Sequence, residues 1–310
     1  MSIVWEGVMP AITTKFTADD QIDFNLGKIN LQAQLDAGVH GIILGGTLGE
    51  ASTLTLKEKE ELTVQTVDFV AGAVPVVMNI AEASTRDAIA AVKAAEKNGA
   101  SALMALPPMR YKANSYEVME WFNTIAANTG LDIMIYNNPV DYGIEVTLDM
   151  FEILVSKNEN IKAVKDSARD ISNVTRIRNR FGERLKVLCG VDTLAMESLL
   201  MGADGWVAGL VCAFPAETVA VYELTKAGRL TEALEIYRWF LPLLELDINP
   251  QLVQNIKMAE VATGIGSEYV RGPRLPLQGK ERERVTQIIS SSLETRPTLP
   301  EYKGLRAVGV

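Results

Sequence analysis

One lysine of this chain stands where an amine could act as a nucleophile. The run Ile161-Lys162-Ala163-Val164-Lys165-Asp166-Ser167 reads as a buried strand, and side chains on a strand alternate between its faces. Ala163, Lys165 and Ser167 therefore share one face, and Lys162, Val164 and Asp166 the other. Small neighbours beside Lys165 suit a crowded interior. Burial disfavours the ammonium form, and the neutral amine is the form that condenses with a carbonyl. A structural ion pair, with Glu50 as the acid, is equally compatible with the strand taken alone.

Two other segments could complete such chemistry. Tyr136 closes the strand candidate Asp132–Asn138, one βα unit before Lys165. A phenol beside a carbinolamine can move protons at its oxygen and at the adjacent carbon; a core tyrosine with a satisfied hydroxyl would read the same. Gly45-Gly46-Thr47-Leu48-Gly49-Glu50 offers glycines that admit close approach of a ligand and backbone N–H groups that can cradle an anion such as a carboxylate. Thr47 adds a hydroxyl able to bind the substrate or to relay a proton to Tyr136. Glycines are also common in ordinary turns after strands.

The rest of the inventory excludes much. His40 is the only histidine, placed between a helix and a strand, so neither a multi-histidine metal site nor multi-histidine acid–base chemistry is available. Cys189 and Cys212 lie apart in apolar text and form no CxxC pair, which points to buried thiols rather than zinc or a disulfide. The formal charge of −9 disfavours nucleic acid and anionic membrane as partners. No apolar run is long enough to span a bilayer and the start lacks the pattern of a signal peptide, so a cytoplasmic location is expected.

These residues need a scaffold that brings strand ends together. Strand candidates fall at 7–13, 41–47, 74–80, 102–107, 132–138, 161–167, 185–191 and 203–210. Helical text lies between them: Thr55–Val70, Ser84–Asn98, Ser115–Ala127, Leu148–Val155, Ile171–Phe181 and Leu194–Met201. Near-continuous apolar strands alternating with helices argue for a parallel sheet buried on both faces. Eight such units match an α/β fold, a (β/α)₈ TIM barrel, over residues 1–226. An open doubly wound sheet is the alternative, disfavoured because no Gly-x-Gly-x-x-Gly follows the first strand. Residues 227–296 read as a C-terminal helical extension and 297–310 as an irregular tail.

GGTLGE (45–50), YNNP (136–139), the lysine of IKAVKDS (161–167) and GVDTLAMESLLMGADGWVAG (190–209) together resemble the dihydrodipicolinate synthase / N-acetylneuraminate lyase family of Schiff-base enzymes. The resemblance implies Lys165 as the Schiff-base lysine and Tyr136 as the proton shuttle. It implies that Thr47, with Gly46 and Leu48 beside it, holds the substrate carboxylate. It also implies a small-molecule 2-oxo acid or cyclic imine as substrate, a homotetramer built as a dimer of dimers, and no metal or organic cofactor. Asn138, Ser167 and Asp192 are candidates to orient a substrate hydroxyl, and Gly190 and Val207 are expected beside the substrate.

The departures bear on the substrate. Synthases of the lysine branch typically read Gly-Thr-Thr-Gly-Glu, where this chain has Leu48. They place a tyrosine, lent to the neighbouring subunit, where Met109 stands here with Tyr111 nearby. They carry an arginine after the Tyr-Asn-x-Pro turn, where Asp141 stands. An anion there would repel an acidic second substrate. The wording of GGTLGE, PPMRYK, YNNPV and GADGWVAGL is most similar to deaminases of 1-pyrroline-4-hydroxy-2-carboxylate, which yield 2,5-dioxopentanoate and ammonia. A 4-hydroxy-tetrahydrodipicolinate synthase or another pyruvate-dependent aldolase, of the 2-keto-3-deoxy sugar acid type, is the alternative within the family. A catalytically inactive ligand-binding barrel and a phosphate-binding barrel are alternatives of other classes; for the last, GWVAGL supplies only part of a phosphate cup.

Overall fold

The computed structural model describes residues 3–109 and 111–305. Its eight strands are β1 (Gly7–Pro10), β2 (Ile42–Leu44), β3 (Val76–Ile80), β4 (Ala102–Ala105), β5 (Asp132–Asn137), β6 (Ile161–Asp166), β7 (Lys186–Cys189) and β8 (Gly205–Ala208). All pair in parallel, in the order β1-β8-β7-β6-β5-β4-β3-β2. The remaining gap is bridged just past β1, where Ala11 pairs with Ile43 and the Ile12 amide donates to the Ile43 carbonyl at 2.9 Å. The sheet is thus a nearly closed (β/α)₈ barrel rather than an open doubly wound sheet. Each expected strand is present, one to four residues shorter than its apolar run.

The helices are α1 (Phe24–Ala37), α2 (Leu56–Val70), α3 (Thr85–Lys97), α4 (Ser115–Ala127), α5 (Pro139–Tyr142), α6 (Leu148–Lys157), α7 (Ser172–Phe181), α8 (Ala195–Leu200) and α9 (Pro215–Lys226). Beyond the barrel come α10 (Leu230–Leu244), α11 (Leu252–Ala262) and α12 (Gly279–Glu294). Local chemistry sets several starts. Thr55 accepts from the Glu58 amide while the Glu58 carboxylate takes the Thr55 amide, a closed capping box that fixes the first turn of α2. Asn114 and Glu117 repeat the device on α4.

Three barrel helices were not among those expected from the sequence, for physical reasons. Helix α1 carries Gly27 and lacks a clear apolar stripe. Helix α9 is buried on nearly every side, so its text has no polar face to alternate with. Helix α5 is a single turn in what reads as a Pro-led turn.

The C-terminal helices do more than cover the barrel. Helix α11 sends Lys257 to the carboxylate of Glu50 at 2.6 Å and Glu260 to the amine of Lys15 at 2.9 Å, all four side chains shut off from water. Thr13 also donates to Glu260 at 2.7 Å. Two buried ion pairs therefore pin the chain just past β1 and the loop after β2 to one helix.

Candidate active site

At the mouth of the barrel, Tyr136 of β5 and Lys165 of β6 are register partners. The Lys165 amine lies 4.0 Å from the centre of the Tyr136 ring. It makes no hydrogen bond or ion pair among the described residues; Glu50, the acid weighed as its structural partner, is bound to Lys257 instead. Burial pushes the Lys165 amine below its ordinary range, while Tyr142, Asp247 and Asp192 pull in the opposite direction. Gly190, at the end of β7, makes room for it. A methyl on that residue would stand 2.2 Å from the Ser167 hydroxyl and 2.6 Å from Cε of Lys165. A dry, unpaired amine against a phenol ring is the arrangement needed to attack a carbonyl carbon.

The phenol is held by Asn138, whose amide nitrogen donates to the Tyr136 oxygen at 3.1 Å and to Asp141 at 2.8 Å. The Asn138 oxygen accepts the Asp141 amide at 3.2 Å and so caps α5. With these bonds made, Asn138 positions Tyr136 rather than offering a free group to a substrate hydroxyl. Burial raises the Tyr136 phenol above its ordinary value, with the polar groups of Ser167 and Asn138 beside it acting against that rise.

Thr47 departs from its expected partner. Its hydroxyl shares a 2.9 Å hydrogen bond with Tyr142, not with Tyr136. Tyr142 packs edge-on against Tyr136, with ring centres 5.7 Å apart. Around Thr47 the loop is tight: Gly45 has φ of 65°, and a methyl on Gly49 would stand 3.0 Å from the Gly45 nitrogen. Asn79 of β3 holds the turn by donating to the Gly45 carbonyl at 2.8 Å. Glu50, which closes the loop, adopts left-handed φ of 53° and is anchored by Lys257 and by the Arg271 amide at 3.0 Å. The amides of Thr47 and Leu48 find no acceptor among the described residues, so both remain available to an anion.

Gly46, Thr47, Leu48, Tyr136, Asn138, Lys165, Ser167, Gly190 and Val207 all line one cavity, whose empty space counted to its open mouth is about 750 Å³. Asp192 does not. Its carboxylate takes the Trp206 indole N–H at 2.9 Å, the Leu210 amide at 2.8 Å and the Gly209 amide at 3.1 Å. It fastens the turn after β8, and its expected contact with substrate is corrected on that ground. Ser167 donates to the Gly190 carbonyl at 3.0 Å while still facing the cavity. Met109 and Tyr111 stand outside this cavity, and Arg110 of the PPMRYK run lies outside the described residues.

Among the ionisable residues lining the cavity, three were missed from the sequence: Tyr142, Arg169 and Asp247. Arg169 follows β6 and reaches Asp141 at 3.1 Å, so the acid that stands where an arginine was expected carries its own counter-charge. Asp247 hangs over the mouth from the turn after α10. In the sequence the helical text runs on to Asp247 and stops only at Asn249 and Pro250, and nothing there shows where Asp247 points. The thiols of Cys189 and Cys212 are buried and free, with burial pushing that of Cys189 up to about 12.

The dihydrodipicolinate synthetase family model matches residues 4–292. The chain belongs to that family. Among its relatives is the 4-hydroxy-tetrahydrodipicolinate synthase of Exiguobacterium sibiricum, 28% identical over 97% of this chain and 99% of the relative. That of Methanopyrus kandleri is 32% identical over 96% and 98%. The solved 4-hydroxy-tetrahydrodipicolinate synthase of Methylacidiphilum fumariolicum superposes with a TM-score of 0.89 at 28% identity, covering 94% of this chain and 97% of that one. YagE of Escherichia coli K12, solved in complex with pyruvate, gives 0.88 at 25% identity over 94% and 99%. The family is one of Schiff-base, pyruvate-dependent lyases, and none of the described helices of this chain is long and apolar enough to cross a membrane.

Proposed function

We propose that this member of the dihydrodipicolinate synthetase family binds a 2-oxo acid or its cyclic imine as a Schiff base on Lys165, with 1-pyrroline-4-hydroxy-2-carboxylate as the substrate. The observation that carries the Schiff base is the buried, unpaired Lys165 amine 4.0 Å from the Tyr136 ring centre. The substrate carboxylate would sit on the free amides of Thr47 and Leu48. Lys165 attacks the imine carbon C2, and the ring nitrogen, protonated by the Tyr136 hydroxyl, departs as an amine still tethered through C5, leaving a protonated imine on Lys165 and a phenolate at Tyr136. The protonated imine draws electrons from C3, and Tyr136 takes the C3 proton. The C4 hydroxyl then leaves as water, giving a C3–C4 double bond; transfer of protons from C5 and its nitrogen to C3 and C4 turns the tethered amine into a C5 imine, and hydrolysis of that imine and of the Lys165 Schiff base yields 2,5-dioxopentanoate and ammonia.

The choice of substrate rests on Asp141, which occupies the place of the arginine that would grip a second carboxylate. A specific observation favours a second reading: the curated relatives are named 4-hydroxy-tetrahydrodipicolinate synthase, and Arg169 at the cavity wall is a cation such a synthase could use. The Asp141 carboxylate already holds that guanidinium, which weakens this second reading. The deciding experiment is a side-by-side assay with pyruvate plus aspartate semialdehyde, 2-keto-3-deoxy sugar acids and the hydroxylated pyrroline. Ammonia release from the pyrroline at a kcat/KM well above the other two supports the deaminase. Condensation with the semialdehyde at the higher efficiency replaces it with the synthase. A borohydride adduct on Lys165 with none of these removes the Schiff base itself. Size-exclusion chromatography with light scattering would test the expected homotetramer.

A further inference from the structure

We propose that Asp247 is the general acid of this site, its carboxyl delivering a proton to the oxygen that leaves C4 of the bound substrate. The proposal rests on the dehydration just described and adds the group which that step needs.

Asp247 comes from the helical extension, not from the barrel. Its side chain lies directly on the backbone past β8: a methyl on Gly209 would stand 2.3 Å from Oδ1 of Asp247. Only glycine leaves space for the carboxyl there. Asp247 lines the same cavity as Lys165. The Thr47–Leu48 amides follow β2, which stands opposite β6 in the strand order, whereas β8 is two strands from β6. A substrate with its carboxylate at β2 and its C2 at Lys165 can thus direct its remaining carbons beneath Asp247.

The carboxyl is built to keep a proton. Oδ1 is closed to solvent and has no hydrogen-bond partner. Across Gly209 stands Asp192, so two acids face the same glycine with opposite surroundings. Burial raises the carboxyl of Asp192, but three N–H donors act against that rise. Asp247 has no donor on Oδ1, and burial followed by repulsion from Asp192 holds its carboxyl well above the usual carboxylate range, against the pull of Lys165. Of these two buried acids, Asp247 is the one with an unpartnered oxygen and a place in the cavity wall, which suits it to carry the proton.

The step balances without any further reagent. Once the C3 proton has gone to Tyr136, the enamine pair forms the C3–C4 double bond and regenerates the iminium on Lys165. The C4–O bond breaks with its pair on oxygen. The Asp247 proton joins that oxygen, water leaves, and Asp247 is left as a carboxylate that solvent reprotonates.

The test compares Asp247→Asn and Asp247→Ala with the wild type in three readouts: borohydride trapping of pyruvate on Lys165, solvent deuterium exchange into pyruvate C3, and water loss from 4-hydroxylated substrates. The substrates are the hydroxylated pyrroline and a linear 4-hydroxy-2-oxo acid, followed by the mass of the trapped adduct. Trapping and exchange should stay within about twofold while water loss falls by roughly 10²-fold or more. Water loss at the wild-type rate in Asp247→Asn overturns the proposal, as does a parallel fall of all three readouts. If the wild type eliminates water from the linear acid but ignores the pyrroline, the substrate named above falls and the role of Asp247 is judged on the linear acid. If it eliminates water from neither, both fall.

Discussion

The hydroxyl of Thr47 meets that of Tyr142 at 2.9 Å, and Thr47 reaches Tyr136 only through that ring. All three residues belong to the same chain, with Thr47 hydrogen-bonded to Tyr142 and the Tyr142 ring packed against that of Tyr136. The family resemblance implies a tyrosine lent by a neighbour; here the tyrosine that meets Thr47 is Tyr142 of the same chain. Tyr142→Phe keeps the edge-on packing against Tyr136 and deletes the hydroxyl. It should leave pyruvate trapping intact and slow deuterium exchange at C3 by about 10- to 100-fold. Thr47→Val should slow exchange to a similar degree, and the double variant should be no worse than the poorer single, because both cut the same line. Additive losses would show that the two hydroxyls act separately.

Lys165 allows a prediction in which activity and stability move in opposite directions. Its amine is depressed by burial, so the unfolded chain binds a proton that the folded chain lacks at pH values between the folded value and 10.5. Stability from this group therefore rises as pH climbs through that window. Lys165→Met removes the cost of burying the amine. It should abolish borohydride trapping and, in urea melts, be at least as stable as the wild type near neutral pH. Its advantage should shrink as the pH approaches 10.5. A variant that is less stable at neutral pH, with the gap independent of pH, would contradict a dry, neutral amine.

Gly190 is required by the space Lys165 occupies. A methyl there meets Ser167 and Cε of Lys165 far inside contact distance. Gly190→Ala should displace the lysine side chain and cut the trapping rate by at least 10-fold while the circular dichroism spectrum stays that of the wild type. Trapping at the wild-type rate would mean that the amine reaches substrate by another path.

The barrel was legible because its strands are apolar on both faces and its helices are bounded by caps and glycines. Lys165 stood out for the same reason: one cation beside Ala163 and Ser167 on the small-residue face of a buried strand. Tyr136 followed, since one βα unit places neighbouring strand ends together. Tyr142, Arg169 and Asp247 were not legible. Tyr142 sits on a one-turn helix whose direction no periodicity fixes. Arg169 has left-handed φ of 58°, a conformation unusual for its type. Asp247 follows the end of α10, where the text still reads as helix and the strand phase is lost. Asp192 misled because an acid after a strand end resembles a ligand contact until its three N–H partners are seen.

Lys257 and Glu50 form a second buried unit whose role is to hold the carboxylate-binding loop. Removing one partner leaves the other charged and buried, at a cost of about 3–5 kcal/mol. Lys257→Met should accordingly lower the unfolding free energy by about that amount in denaturant melts, and should raise KM for pyruvate more than it lowers kcat. The double variant Lys257→Met/Glu50→Gln should recover part of the stability because no unpaired charge remains. Equal stability of the single variant and the wild type would show that Arg271 and Arg274 suffice to hold Glu50.

Asp141 and Arg169 decide which second group the cavity mouth tolerates. Both side chains are substantially exposed, 50% and 41%, so their pairing contributes about 1 kcal/mol or less to stability. Its consequence lies in charge at the mouth. Asp141→Asn leaves Arg169 unneutralised, and acidic aldehydes such as aspartate semialdehyde should then bind more tightly, with KM falling several-fold at low salt and the gain fading as salt screens it. Thermal stability should change little. Arg169→Ala has the opposite sign for acidic substrates and should leave an uncharged 2-oxo acid tail unaffected. A fall in KM for acidic and neutral substrates alike would place the effect in the packing of α5 rather than in charge, because Asn138 and Asp141 also fix the turn that carries Tyr142.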